Sequence, residues 1–481
     1  MAKLTVLVES VGSNSFKCIN TLIMETLKGW TSEPNIGWHE SNHYVWGELQ
    51  KDTEHFEFMS TEDYILQNDH SNPVIYLITV PFINDHLNTT WTRWIPDNTL
   101  KVLKEHNVPI VLSQPHEYYL GHLVQNAYHH FKPTEELALL SQALDTQGLI
   151  HNDIIIHGIA ATNSKTGFCP VGQRRVYEAY CYDYFNRGKH LHNEYKDLDL
   201  SNSVMQRYKH LTYEDHFNNV DQKDKLSVCF NRQPRDLRCV LLLSCAEQID
   251  SSVFTFLAEE PLHNPMTNTE VFERLESSLL ELPDTPYKQK LKDNIPLVIK
   301  KLNHLNLNEL EGERFDHMNA NYVLNTQRQR AWFEMVTETH EWSKRDFACS
   351  IITEKTIWPI LNNMPFCVQG HRENYQFLKD LGFNLFEEYL LQQEATKRDL
   401  VNENLDMSVL HATDQMYERF DAWYKTTKFI MDTKQLIKHN FELLVETDWH
   451  GKEKNDFIKI YEHSRTANRS YDFHMKDKFK F

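Results

Sequence analysis

The stretch KLSVCFNRQPRDLRCVLLLSCAEQ, residues 225–248, holds a strand, a turn and a helix in that order. LSVCF is a short apolar run rich in strand formers, and NRQPRD carries the proline and aspartate of a turn or helix start. LRCVLLLSCAEQ continues as an apolar helix. In a parallel α/β sheet the carboxyl ends of the strands border the ligand crevice, and the following helix aims unsatisfied N–H groups at it. Arg232, Arg235 and Arg238 fall three apart at that place. Positive charge at a helix N-terminus is locally unfavourable unless an anion or carboxylate offsets it. Arg232 and Arg235 are therefore candidates to clamp a diphosphate through forked, charge-assisted bonds, with Arg238 one turn further in. The plain alternative is three solvated arginines at a helix start.

Moving outward, the same alternation recurs on both sides. VFTFLAEE (253–260) and WFEMVTETH (332–340) read as strands, and 262–300 reads as an insertion or helical excursion. HRENYQFLKDLGFNLF (371–386) has helical spacing of Tyr375, Leu378 and Leu381, with Gly382 placed to end the helix in a left-handed turn. In the N-terminal half, LTVLVES (4–10), VIYLITVPF (74–82), VPIVLSQPHEYY (108–119) and DIIIHGIAA (153–161) read as strands. SFKCINTLIMETLKGW (15–30) and TEELALLSQAL (134–144) read as helices. Strands separated by helices predict parallel sheets covered on both faces. The expected organisation is an α/β unit over 1–175, a polar connection over 176–222, a second α/β unit over 223–400 and a helical C-terminal region over 401–481.

Composition agrees with two large cores. The chain has 481 residues, 41% hydrophobic and 25% charged, which also argues against broad disorder. Its formal charge of −18 weighs against a general nucleic-acid coat, although a local basic groove fits an acidic body. The eight cysteines include no CxxC pair, so free thiols are expected rather than a zinc knuckle. The start MAKLTVLVES lacks a signal-peptide apolar region, and no apolar run reaches membrane-span length. A soluble, cytoplasmic protein is expected.

A second constellation lies in VTETHEWSKRDFACSIITEKTIWPI, residues 336–360. Thr337-Glu338 and Thr353-Glu354 each follow an apolar segment. Thr353 is placed to cap a helix whose first turn holds Glu354 and Lys355. A carboxylate there suits a ribose or sugar hydroxyl, while the Lys355 ammonium and free N–H groups suit phosphate oxygens. The competing reading is an ordinary capped helix, with Glu338 on the surface. No GxGxxG or GxxxxGK[ST] pattern occurs, so the dinucleotide and P-loop readings lose their support. Asp197-Leu198-Asp199 falls in the polar connection, where a solvated loop is the simpler account, and no metal site is expected. Candidate general bases follow strands of the first unit: His116 and Glu117 as the best pair, then Asp85, with His86, Glu9 and His157 behind them.

At FNRQPRDLR, and at TETHEWSKRDFACSIITEKTIWPILNNMPFCVQGHRENYQFLKDLGFNLF, the chain resembles a family. These stretches are similar to glycosyltransferases of the GT-B type, with two Rossmann-like domains facing across a cleft and here a helical C-terminal segment. The likeness is greatest to divergent enzymes of phages and large viruses, and more distant to fucosyltransferases and exostosin-like enzymes. It covers about residues 225–245 and 330–388. The resemblance implies a nucleotide-diphosphate sugar as donor substrate, with no tightly bound cofactor and no metal needed for the diphosphate. It implies donor contacts from Asn231, Arg232 and Arg235, then from Thr353, Glu354 and Lys355. The first unit would be the acceptor side and would supply the base. LNNMPF stands where the family more often shows small residues and a Gly, so the donor sugar is not carried over.

The phage likeness makes a hydroxymethylated cytosine in DNA one acceptor. Its local basic patch would come from Arg93, Lys101, Lys104, Arg174, Arg175 or the tail from Arg465. A viral enzyme would then work in the host cytoplasm. A glycan or small-molecule acceptor is the alternative, and a hydrolase or epimerase on nucleotide sugars, or a non-catalytic scaffold, are the other classes.

Overall fold

The computed structural model describes residues 3–8, 49, 51–67, 70–79, 95, 97–114, 141, 142, 144–158, 160, 161, 168–171, 174–195, 213–218, 220–231, 236–256, 268–280, 282, 284, 286–301, 325–338, 350–369, 372–386 and 427–466. The chain folds as two compact units: Met1–Tyr182 with Asp448–Phe481, and Asp183–Thr447.

The first unit is built on seven strands: β1 (Leu4–Val8), β2 (Phe56–Ser60), β3 (Val74–Thr79), β4 (Ile110–Gln114), β5 (Ile154–Gly158), β6 (Phe168–Val171) and β7 (Arg174–Tyr180). Their order is β2-β1-β3-β4-β5-β7-β6, parallel throughout except for the antiparallel β6–β7 edge. Every residue of β1 and of β5 is buried, as expected of central parallel strands covered on both faces. Helix α1 (Thr61–Leu66) begins at Ser60, whose hydroxyl accepts from the Asp63 N–H at 3.0 Å. Helix α2 (Asp97–His106) buries Leu100, Val102 and Leu103 on this core. Full burial of one such side chain contributes roughly 1.5–3 kcal/mol. The buried Asn152 ties the last turn of α2 to the chain that follows it: its Nδ2 donates to Leu103 O at 2.7 Å and to Val108 O at 2.9 Å.

The second unit holds a four-stranded, wholly parallel sheet: β8 (Lys225–Asn231), β9 (Val253–Phe256), β10 (Ala331–Thr337) and β11 (Phe366–Gln369), in the order β9-β8-β10-β11. Among the described residues its helices in chain order are α3 (Asp183–Tyr195), α4 (Tyr213–Asn218), α5 (Asp236–Ser244), α6 (Asn268–Ser278), α7 (Pro286–Lys300), α8 (Asn325–Arg330), α9 (Glu354–Leu361), α10 (Arg372–Leu381) and α11 (Thr427–Glu446). Within 262–300 the described residues form α6 and α7, as the i, i+3 and i, i+4 apolar positions of those helices require. Gly382 ends α10 at φ +100°, and Phe383 N–H returns to Leu378 O at 2.9 Å. Helix α12 (Trp449–Thr466) belongs to the first unit and buries Trp449, Phe457 and Ile460 there.

The expected fold class, two Rossmann-like α/β units with a helical C-terminal segment, is the one found. The division of the chain differs from the expected one. Residues 176–180 lie inside β7, where Val176, Tyr177, Ala179 and Tyr180 are buried, and α3 begins within what reads as a polar connection. Polarity misleads here because β7 starts with Arg174 and Arg175, which are buried against acidic partners. The region after 401 is also shared between units, α11 in the second and α12 in the first. The predicted helix over 15–30 lies outside the described residues, as does most of that over 134–144.

Candidate functional site

In the second sheet the chain leaves β8 for β9 on one side and then returns to place β10 on the other. This makes the carboxyl ends of β8 and β10 a topological switch point, where open α/β sheets form a ligand crevice. Asn231 ends β8 and Thr337 ends β10. Both are buried, and the Thr337 hydroxyl donates to the Asn231 side-chain oxygen. Asn231 Nδ2 in turn donates to Cys229 Sγ at 3.2 Å.

Glu338, one residue beyond β10, is 1% exposed. Its carboxylate accepts from the Thr353 N–H at 3.1 Å, from the Thr353 hydroxyl at 2.6 Å and from the Thr356 hydroxyl. Thr353 is the N-cap of α9, and its hydroxyl oxygen accepts from Lys355 N–H at 3.4 Å. The N-terminus of α9 is therefore tied directly to the end of β10. The surface reading of Glu338 is overturned, because a carboxylate that satisfies a helix start has to share its burial. The expected free N–H groups are also partly taken, by Glu338 and by the cap.

Glu354 and Lys355 face outward from this anchor, their side chains 33% and 23% exposed. Lys355 Nζ lies 3.4 Å from Glu354 Oε1 and 3.4 Å from Thr353 Oγ1. Burial opposes ionisation of Glu354, but the Lys355 ammonium, the Glu354 backbone N–H and Thr353 outweigh it and hold this carboxyl below its ordinary value. Two carboxylates already stand at this helix end, so its own N–H groups are better suited to hydroxyl groups than to a further full anion, and Lys355 is the local cation.

From the other side α3 approaches closely. A Cβ on Gly188 would sit 2.6 Å from Ile357 Cγ2 of α9, so only glycine permits this spacing. Tyr184, also on α3, has its phenol pushed well up by burial and then by the Glu354 carboxylate. Pro359 lies inside α9.

A depressed carboxyl contributes stability above its unfolded value and loses it as pH falls through the folded one. For Glu354 the ordinary value is 4.5, so its contribution fades below that pH. The denaturation midpoint should fall more steeply below about pH 4.5 in the parent chain than in Glu354→Gln. Equal acid slopes would remove the ion pair from the account.

Of the sequence-predicted residues, Asn231, Thr353, Glu354 and Lys355 meet at this edge of one unit. Arg232, Arg235, His116, Glu117, Asp85, His86, Glu9, Asp197 and Asp199 lie outside the described residues. Arg238 is buried, 4% exposed, on α5. His157 is fully buried at the end of β5, with Ser113 Oγ 2.8 Å from its Nδ1 and Glu453 2.9 Å from its Nε2, so it borders no open crevice. Two members of the proposed basic patch are lost. Arg174 is bound by Ser141, Leu149 O and Asp145, and Arg175 pairs with Asp153 at 2.7 Å and donates to Ser464 O. Neither offers its guanidinium to a phosphate, because each satisfies buried acceptors of its own unit. The sequence marks Glu338 through the Thr337-Glu338 pair but not as the anchor of a helix start, and it does not mark Thr356. The segment His39-Glu40-Ser41-Asn42-His43 adds a match to the HExxH zinc pattern, also outside the described residues.

No family model matches the sequence, and no curated protein does. Among solved structures, the chain is similar to the N-terminal domain of Candida albicans trehalose-6-phosphate phosphatase, at 11% identity and a TM-score of 0.35, covering 96% of this chain and 97% of that one. It is similar to the trehalose-6-phosphate synthase OtsA at 11% identity and a TM-score of 0.35, covering 96% of this chain and 99% of that one. Among the described residues no helix is long and apolar enough to cross a membrane.

Proposed function

We propose that the chain is a nucleotide-sugar-dependent glycosyltransferase of the GT-B type, with its donor on the second unit. The observation that carries this reading is the convergence of Asn231, Thr337 and the Glu338-anchored start of α9 at the sheet's switch point. Glu354 accepts hydrogen bonds from the hydroxyls of the nucleoside ribose. Lys355, with Arg232 and Arg235, which follow Asn231 in the sequence, binds the diphosphate. These cations favour the transition state because negative charge grows on the leaving diphosphate as the glycosidic bond breaks. His116, Glu117 or Asp85 of the first unit deprotonates the acceptor hydroxyl if transfer inverts the anomeric centre. The acceptor is a glycan or a small molecule. A DNA acceptor has less behind it, since Arg174 and Arg175 are engaged internally.

Calorimetry with UDP-, GDP-, CMP- and dTDP-sugars tests the donor site, and at least one should bind. Lys355→Met should weaken that binding by about 10- to 100-fold, the scale of one charge-assisted contact of roughly 1.5–3 kcal/mol. Unchanged affinity would reassign Lys355, and silence across the whole panel would end the transferase reading. Sugar transfer to a supplied acceptor separates a transferase from a hydrolase or an inert scaffold, because donor hydrolysis alone occurs in each active class.

A further inference from the structure

His157, Cys181 and Glu453 come together in the interior of the first unit, with one ligand atom of each lying within 4.8 Å of the others. They arrive from three elements. His157 stands near the end of β5, Cys181 follows β7 directly, and Glu453 lies on α12. All three are 1% exposed or less. The pairing of β5 with β7 fixes the first two: His157 stands opposite Ala179, and Cys181 N–H donates to Gly158 O at 2.8 Å.

The orientation of each group is held from behind. Ser113 Oγ lies 2.8 Å from His157 Nδ1, which turns Nε2 toward the triad. Glu453 Oε1 sits 2.9 Å from that Nε2, while Tyr182 N–H reaches Glu453 Oε2 at 3.4 Å. A metal-ligating histidine has its second nitrogen held by an outer hydrogen bond that sets tautomer and ring direction, and the Ser113 hydroxyl takes that place here. Phe457 packs on the imidazole, at 5.2 Å between ring centres.

We infer that His157 Nε2, Cys181 Sγ and a Glu453 carboxylate oxygen form a binding site for a divalent transition metal, zinc in the first instance. One imidazole nitrogen, one thiolate and one carboxylate match zinc and not the all-oxygen preference of magnesium or calcium. Charge supports the choice. Neutral imidazole, thiolate and carboxylate carry two negative charges, which one M²⁺ cancels, so the buried cluster becomes neutral. On binding, the Cys181 thiol releases its proton to solvent, and any proton shared by His157 and Glu453 leaves Nε2. Three protein ligands leave the fourth tetrahedral position to a water or an added small ligand. The metal would fasten α12 to the ends of β5 and β7. It is separate from the donor site, and the proposal does not depend on the transferase reading.

The test uses the full chain, purified without a polyhistidine tag, stripped with EDTA and titrated with CoCl₂ and then ZnCl₂. One equivalent of cobalt should give a thiolate-to-metal charge-transfer band in the near ultraviolet together with intensified visible bands, and zinc should bleach both. Cys181→Ser should abolish the charge-transfer band and weaken zinc binding by at least about 100-fold. Ser113→Ala, which removes only the orienting hydroxyl, should weaken it by about 10- to 100-fold. Cys239→Ala, a buried thiol of the other unit, should leave the band intact. Circular dichroism checks that each variant folds. Absence of the band in the parent chain, or its survival in Cys181→Ser, overturns the assignment and leaves a buried histidine–glutamate pair. The same follows if Cys239→Ala removes the band.

Discussion

Glu338→Ala should lower the stability of the chain by about 3 kcal/mol, read as a fall in the denaturant midpoint at unchanged slope. The carboxylate is 1% exposed and accepts from one N–H and two hydroxyls at the start of α9. Each hydrogen bond to a charged group contributes roughly 1.5–3 kcal/mol, and bonds sharing one acceptor do not add fully. Alanine leaves the Thr353 N–H buried without its acceptor. Glu338→Gln keeps an oxygen for that N–H and turns an amide toward hydroxyls that can rotate to accept from it. Its loss should be smaller, about 1 kcal/mol. The two variants should also separate in donor binding, since alanine frees the helix start that presents Glu354 and Lys355. Equal stabilities for parent and alanine variant would mean that α9 is positioned by its apolar face alone.

Arg328→Met should cost more, about 3–5 kcal/mol. Arg328 on α8 donates Nε to Glu334 Oε2 at 2.6 Å and Nη2 to Glu334 Oε1 at 2.8 Å, with both residues buried. The guanidinium also lies over the Phe230 ring, 4.9 Å from its centre. Removing the cation leaves the Glu334 carboxylate in a low-dielectric interior, where an uncompensated charge is expensive. Glu334 sits on β10, so the strand that delivers Thr337 and Glu338 bears the damage. The double variant Arg328→Met/Glu334→Leu removes both charges and should recover most of the loss. A double variant as unstable as the single one would show that packing of Arg328, not charge, sets its value.

The strands and most helices of both units could be read from residue order, because alternating short apolar runs and helical periods survive in one dimension. LTVLV, VIYLIT and KLSVCF became β1, β3 and β8 with little displacement. FEFMS did not announce itself: its Glu57 interrupts the apolar run that would have marked β2. β7 was hidden for a different reason. Arg174 and Arg175 read as members of a basic patch, and only partners distant in sequence, such as Asp153, explain why they are buried. The start of α9 was legible from Thr353 and its acidic first turn. Its anchor, Glu338, was not, because burial of a carboxylate depends on donors fifteen and more residues away. The triad of His157, Cys181 and Glu453 has no local spacing at all, so no sequence pattern could mark it.

The second unit occupies one unbroken stretch of chain, Asp183–Thr447, set between two parts of the first. On the ribosome this imposes an order. The seven strands of the first sheet emerge early, yet α12, which buries Trp449 and Phe457 in that unit, emerges only after the whole second unit has been made. At ~5–20 residues per second the nascent first unit waits roughly 10–50 s for α12. During that interval the side chains that α12 will cover stand uncapped, and the unit begun first is the one finished last.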